Sequence, residues 1–233
     1  MTLKRTLEPE VMDSDQDASE YNNMDHSEVN RLFVTDLLAF AKKCSEVNED
    51  FRLGDVLDMG TGTALIPVQL CKQHDHCRVM AIDMAVSMLN LAVYNIEAAG
   101  LADRIQLAHV DAKQLSYEDE MFDVVMSNSI IHHIPEPLAC IEQMVRVTRA
   151  GGILFVRDLM RPDNRETVQR LVQTYAGEES EYSQKLFDDS LHAALSLTEI
   201  RKLVAGFGFD PQTVNATSDR HWTWAAIQNG STQ

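Results

Sequence analysis

Between residues 53 and 158 short apolar runs take turns with runs of helical periodicity, and this order constrains the fold more than any single residue. The pattern predicts strand 53–59, helix 63–74, strand 78–83, helix 85–99, strand 105–109, strand 122–127, helix 137–147 and strand 152–158. Such alternation implies a parallel sheet covered on both faces. Upstream, Val29, Leu32, Phe33, Leu37, Leu38 and Phe40 recur at helical spacing and predict a helix over 27–43, after a polar, acidic stretch at 8–26 that reads as mobile. Gly151 and Gly152 punctuate the passage from helix to strand. Beyond Pro162 two polar helical segments, 164–175 and 181–194, carry Tyr175, Tyr182, Phe187 and His192 and read as a lid. A helix at 198–206 leads into two strands whose short connection makes them an antiparallel pair at the sheet edge.

A chain of 233 residues suits one domain with a sizeable core. Within it we distinguish an N-terminal cover (1–45), a central core (50–160), the lid (161–196) and a C-terminal helix with edge strands (197–233). No apolar run approaches the roughly 18 residues of a membrane span, and MTLKRTLEPEVMDSDQD lacks the apolar centre of a signal peptide. The cytoplasm is therefore the expected compartment, with Cys44, Cys71, Cys77 and Cys140 as free thiols. A net charge of −16 with no basic run opposes approach to a polyanion, so nucleic acid is not an expected partner.

Chemistry concentrates first in VLDMGTGTALIPVQ, residues 56–69, where a strand ends in Asp58 and breaks into Gly60 and Gly62 before a helix. Glycines there permit a tight turn and close approach of a ligand to the main chain. The dinucleotide fingerprint G-x-G-x-x-G/A requires a small residue where Leu65 stands, which weakens a nicotinamide reading. Asp58, two residues before Gly60, would welcome a cationic amine and repel a phosphate. The bare alternative is a glycine-rich turn with no ligand.

The segment resembles the first motif of class I S-adenosylmethionine-dependent methyltransferases, D/E-x-G-x-G-x-G, with Thr61 between the glycines and Ala64 in place of the last one. The resemblance extends over about 50–160, and more loosely to the end, because Asp58, Gly60, Gly62, Asp83, Asp111 and Asn128 follow in the family's order and spacing. It implies a Rossmann-like, doubly wound α/β fold: a mostly parallel seven-stranded sheet with an antiparallel C-terminal edge strand and a helical lid. Asp83, 23 residues after Gly60, would hold the ribose hydroxyls. Met84 would lie against the adenine face, or fill the core. Asp111 would accept the adenine amino group while the Ala112 N–H meets a ring nitrogen; Asp111 equally suits the cap of a short helix beginning at Lys113. Asn128 would contact the methionine portion, or satisfy a turn.

Further residues carry a functional and a plain reading side by side. His132 and His133 offer a base near neutral pH, yet methyl transfer from a sulfonium needs alignment more than a base, and the pair reads equally as lining the site's mouth. Arg31, with Tyr21 and His26 before it, either covers the cofactor carboxylate or stays solvated. Arg157 suits a carboxylate-bearing substrate, or pairs with Asp158. Tyr175 and the other lid aromatics pack on an acceptor or on the core. Cys71, His74, His76 and Cys77 in CKQHDHC are all capable zinc ligands, but the spacing matches no familiar knuckle and falls at a helix-to-strand junction, so no metal is expected there.

The chain thus looks most like small-molecule methyltransferases related to ubiquinone and menaquinone biosynthesis enzymes. The resemblance implies in-line attack by an acceptor atom on a sulfonium methyl, with S-adenosylhomocysteine as the other product. A non-catalytic S-adenosylmethionine sensor, another chemistry on the same fold and an NAD-dependent oxidoreductase are the alternatives. Neither the acceptor nor the oligomeric state is written in a recognisable motif.

Overall fold

The computed structural model describes residues 3–11, 13, 14, 18, 22, 27–49 and 51–230. In chain order the elements are α1 (Ser27–Val47), β1 (Asp55–Met59), α2 (Leu65–Gln73), β2 (Arg78–Asp83), α3 (Val86–Ala98), β3 (Ile105–His109), β4 (Phe122–Asn128), α4 (Pro137–Val147), β5 (Thr148–Leu159), α5 (Arg165–Ala176), α6 (Glu181–Ala193), α7 (Leu197–Gly206), β6 (Val214–Ala216) and β7 (His221–Ile227). The strands form one sheet in the order β3-β2-β1-β4-β5-β7-β6. β1 pairs in parallel with β2 and β4, and β2 with β3, while β6 and β7 pair antiparallel. This is the expected doubly wound sheet with its antiparallel edge.

Residue contacts divide the chain into two compact units, with β5 and β7 running through both. The motif-bearing unit comprises 11–128, 139–156 and 225–233. Its core joins Val56, Val79, Val124, Ile153 and Phe155 of the strands to Phe33, Val34, Leu37 and Ala41 of α1, with Phe33 edge-on to Phe155 at 5.2 Å. Val29 and Leu32, part of the periodic pattern, face outward instead; the buried stripe of α1 is Asn30, Phe33, Val34, Leu37, Ala41 and Cys44. β5 starts at Thr148, directly after α4 and ahead of the start expected at Gly152, so Gly151 and Gly152 lie inside it. The Gly151 N–H donates to the Gln228 carbonyl (2.7 Å) and the Gln228 N–H to the Gly152 carbonyl (2.8 Å).

The helical unit comprises 1–10, 129–138 and 157–224. Leu159, Val168, Leu171, Leu191 and Ala194 form its apolar cluster, with Leu3 and Phe187 packed against it. Each helix starts on a side-chain cap: Asn164 accepts from the Thr167 N–H, Ser180 from Ser183, and Ser196 forms a capping box with Glu199. Arg161 donates to both Glu199 carboxylate oxygens (2.7 and 2.8 Å), to the Ala194 carbonyl (2.7 Å) and to the Leu3 carbonyl (3.0 Å). Leu3 and Thr6 donate their N–H groups to Asp163 and His192. The segment up to Thr6 is therefore anchored, and within the stretch expected to be mobile Asp13 accepts the Ser87 N–H at 2.9 Å and Ala18 is buried with Ala85 and Met88.

A Cβ added at Gly152 would stand 2.8 Å from the Asp123 carbonyl and 2.9 Å from the Arg149 carbonyl, both main-chain atoms. Gly152→Ala is expected to lower stability by about 1–3 kcal/mol, as overpacking does, visible as a reduced urea midpoint with an unchanged slope.

Candidate functional site

Parallel register places the conspicuous polar residues at one edge of the motif-bearing unit. Met59 pairs with Ile82, Asp58 with Met126 and Asp83 with His109, so the carboxyl ends of β1, β2, β3 and β4 stand level. Asp58 and the glycine loop leave β1, Asp83 and Met84 leave β2, Asp111 and Ala112 come after β3, and Asn128 ends β4. The order of these strands reverses at β1 and β4, the switch point where ligands of such sheets bind.

The loop is fastened in a left-handed conformation. Gly60, Gly62 and Ala64 have φ of 76°, 55° and 59°. Glycine adopts this region freely, whereas alanine there costs about 1–2 kcal/mol, so the family's third glycine position keeps its glycine-like backbone without a glycine. Main-chain N–H groups of Gly60 and Thr61 donate to the Ile82 carbonyl, each at 2.9 Å. The Asp83 carboxylate accepts from the Gly62 N–H (2.7 Å) and the Ala85 N–H (2.9 Å), locking the loop to the exit of β2. Asn95 of α3 donates to the Thr63 carbonyl at 2.9 Å. α2 then starts at Leu65 with no side-chain cap.

Asp58 is 2 % exposed, and among the described residues its Oδ2 has no hydrogen-bond partner. Burial pushes its carboxyl up to about 7; the Thr61 hydroxyl beside it offsets part of that shift without reaching hydrogen-bonding geometry, and the charge of Asp83 adds to it. The hydroxyls of Thr61 and Thr63 are likewise buried and unpartnered. A buried carboxylate with one oxygen unpartnered among the described residues, beside a glycine loop, fits a cationic ligand group, since unpaired buried charge is costly until such a group arrives.

Met84 is 38 % exposed, which sets aside the core-filling reading. Its carbonyl lies 3.0 Å from His109 Nε2. Asp111 does cap, accepting from the Lys113 N–H at 2.8 Å and pairing with its ammonium at 3.1 Å, but the chain beyond it makes a turn and not the short helix expected there. Asn128 is half-buried, and the neighbouring Ser127 hydroxyl donates to the Met59 carbonyl (2.8 Å), tying β4 to β1 at this level. Arg31 is exposed on α1; Tyr21 and His26 lie outside the described residues.

In the helical unit a second polar cluster forms. His132 is buried, with Nδ1 2.5 Å from Asp158 Oδ1 and Nε2 3.6 Å from Glu8 Oε1, while His133 Nδ1 is 3.1 Å from that same oxygen. The two rings lie 4.1 Å apart. Burial pushes the Asp158 carboxyl up, but His132 and the N–H groups of Leu159 and Ile131 outweigh it and hold it low. His132 is raised despite burial because Asp158 and Glu8 favour its charged form. Arg157 and Asp158 alternate along β5 rather than pair: Arg157 Nε donates to the Thr223 hydroxyl (2.8 Å), and Asp158 turns to His132. The Tyr175 hydroxyl donates to Asp219 (3.1 Å), and the Arg220 guanidinium lies 3.4 Å from its ring centre. Glu8 was missed from sequence because it sits in an acidic stretch with no motif around it.

The CKQHDHC segment is organised by Arg104. Its guanidinium donates to the carbonyls of Cys71 (2.8 Å), His74 (2.6 Å) and Cys77 (2.8 Å) and reaches the Cys77 sulfur at 3.4 Å. The Cys71 and Cys77 sulfurs approach to 3.8 Å as free thiols. A cleft of about 670 Å³ lined by Leu38, Phe51, His74 and His76 opens at the amino ends of β1 and β2, opposite the motif residues.

Comparison with known proteins agrees with this architecture. Residues 52–217 match a family model described as "Methyltransferase domain". A demethylmenaquinone methyltransferase of Mycolicibacterium paratuberculosis is 36% identical over 109 residues, 47% of this chain and 43% of that protein. The 27-O-demethylrifamycin SV methyltransferase of Amycolatopsis mediterranei is 29% identical over 182 residues, 75% of this chain and 62% of that protein. The match spans half or less of the length of the first such relatives. Among solved structures, the plantazolicin methyltransferase BpumL in complex with SAH superposes with a TM-score of 0.70 at 16% identity, covering 92% of this chain and 91% of that one. A SAM-dependent methyltransferase from Aquifex aeolicus gives 0.61 at 18%, covering 91% and 98%. At these identities the structural likeness shows the fold alone.

The Asp58 carboxyl titrates near 7 in the folded chain and near 4 when unfolded. The folded chain thus holds a proton that the unfolded chain has lost, so this group's contribution to stability is complete below about pH 4 and is lost as pH rises to about 7. Between pH 5 and pH 8 the wild type is expected to lose roughly 2 kcal/mol relative to Asp58→Asn. Urea midpoints of both proteins at the two pH values check this; a constant gap would overturn it.

Proposed function

The chain belongs to the methyltransferase-domain family, and on that premise we propose that it transfers a methyl group from S-adenosyl-L-methionine to a small-molecule acceptor, leaving S-adenosyl-L-homocysteine. The carrying observation is the buried Asp58 carboxylate, whose Oδ2 has no hydrogen-bond partner among the described residues, beside a left-handed glycine loop that follows β1 at the same sheet end as Asp83, Asp111 and Asn128. We assign the ribose to Asp83, the adenine to Met84, Asp111 and Ala112, and the methionine portion to Asp58, the Gly60–Thr61–Gly62 loop and Asn128. Arg31 is a further candidate for the cofactor carboxylate. When bound, the cofactor would supply an electrophilic methyl to an acceptor lone pair, its sulfur keeping the carbon–sulfur electron pair.

The protein's part is then orientation and exclusion of water. We assign no base, because Asp158 and Glu8 flank the two ring nitrogens of His132 and favour its charged form. Substrate contacts through Arg157 and Tyr175 would compete with Thr223 and Asp219. The relatives' names support a small-molecule acceptor: one is named for demethylmenaquinone and another for 27-O-demethylrifamycin SV. The net charge of −16 supports the same choice over nucleic acid. No helix among the described residues is long and apolar enough to cross a membrane, and we assign the chain to the cytoplasm.

Thermal unfolding with S-adenosylmethionine, S-adenosylhomocysteine or NAD tests the cofactor. A ligand at 100 times its dissociation constant adds about 2.7 kcal/mol. The two adenosyl compounds should raise the midpoint and NAD should not; the reverse overturns the reading. Affinity for S-adenosylmethionine should also rise as pH passes 7 and Asp58 ionises, and calorimetric titration of Asp58→Asn should show a loss of at least about tenfold with that pH dependence gone. Transfer of labelled methyl groups to a panel of small acceptors separates an enzyme from a sensor.

A further inference from the structure

The helical unit gathers three metal-ligating side chains that the methyl-transfer reading leaves unused. Glu8 Oε1 lies 3.1 Å from His133 Nδ1 and 3.6 Å from His132 Nε2, and one ligand atom from each residue falls within 4.8 Å of the others. Tetrahedral ligands held at about 2.0–2.1 Å from zinc stand roughly 3.3 Å apart, and the two measured separations bracket that value. The Glu8 and His132 side chains are 7 % and 4 % exposed. Among the described residues Glu8 Oε1 and His133 Nδ1 are buried without a well-aligned hydrogen bond, facing each other across 3.1 Å. Burying these two atoms without a well-aligned partner is unfavourable, and a cation between them would satisfy both.

The surroundings are those of a built site. Asp158 Oδ1 lies 2.5 Å from His132 Nδ1, so Nε2 faces Glu8, and a metal bound there displaces the proton that nitrogen carries in the charged form. Its two oxygens also accept the Ile131 and Leu159 N–H groups, each at 2.6 Å, which fixes the carboxylate. A carboxylate holding the far nitrogen of a histidine is what orients imidazole ligands on metals. On the other side, the Ser190 hydroxyl donates to Glu8 Oε2 at 3.1 Å and leaves Oε1 for the cluster. Arg5 ties the two segments together, donating to the carbonyls of His132, Ile134, Pro135 and Ala193 at 2.7–3.2 Å.

We propose that Glu8, His132 and His133 form a mononuclear site for a divalent transition metal of the zinc type, with Asp158 as its positioning residue. Two imidazoles and one carboxylate suit zinc or cobalt, whereas magnesium and calcium ask for oxygen donors throughout. Three protein ligands leave a fourth position for water or another small donor. The inference stands apart from the cofactor assignment, because it is read by metal binding and not by turnover.

The test uses the full chain, treated with chelator and titrated with Co²⁺, whose tetrahedral complexes absorb in the visible, followed by displacement with Zn²⁺. One metal per chain is expected. Glu8→Gln and His133→Ala should each weaken binding by at least about tenfold, and Asp158→Asn by about 10–100-fold. Cys77→Ser should leave binding unchanged. Absence of saturable binding by the wild-type chain overturns the proposal whether or not the variants fold, and marks the cluster as a buried ion-pair network. Binding that survives both Glu8→Gln and His133→Ala in folded variants, or that disappears with Cys77→Ser, overturns it too.

Discussion

Everything at the candidate cofactor site depends on the parallel register of β1 between β2 and β4. With Val56 paired to both Val79 and Val124, Asp58 near the end of β1 stands two residues short of Asp83 and Asn128, and all three emerge at the carboxyl end of the sheet. Asp58, Asp83 and Asn128 are far apart in sequence, and no contact among them would hold them there. Burial of the strands does so, because β1 and β4 are buried along nearly their whole length and a shifted register would disrupt the packing on both faces. The loop adds a local lock, in which the Asp83 carboxylate fastens the Gly62 N–H. Asp83 is therefore a structural fastener as well as a candidate ribose ligand, and the two uses draw on different lone pairs of one group.

Much of this is legible in the chain itself. The helix over 137–147 is placed to the residue and the others to within a few residues, since their apolar periodicity is strong and Gly or Pro marks their ends. The motif residues are legible because glycines and acids at strand ends have few other uses. Three readings fail for identifiable reasons. Gly151 and Gly152 look like punctuation, yet β5 begins upstream of both, and at Gly152 the Asp123 and Arg149 carbonyls leave no room for a Cβ. The helix expected after Asp111 is a turn, because one capping aspartate does not supply an apolar face for a helix to bury. Val29 and Leu32 fit the periodic pattern but face outward, since the buried stripe of α1 is set by Phe33 meeting Phe155.

The helical unit is much less legible. Its arginines organise it: Arg161 joins Glu199, Ala194 and Leu3, and Arg5 joins four carbonyls. A guanidinium carries five donors in a fixed fork, so a single side chain can tie several segments together. In sequence each is merely one of 20 basic residues in an acidic chain, with no periodicity to betray its partners. Glu8 is hidden for the same reason, and only the fold shows that it faces two histidines more than a hundred residues away.

The uncapped start of α2 and the buried Asp58 stand at opposite ends of one short loop. The first concentrates partial positive charge on free main-chain N–H groups, and the second supplies a negative one once ionised. The loop is thus a fixed dipole. A ligand terminus bearing both charges, as a free amino acid does, answers both poles at once, whereas a simple anion or cation leaves one of them facing nothing. Selectivity at such a loop comes from the spacing between two charges on the ligand, a property that neither pole could read alone.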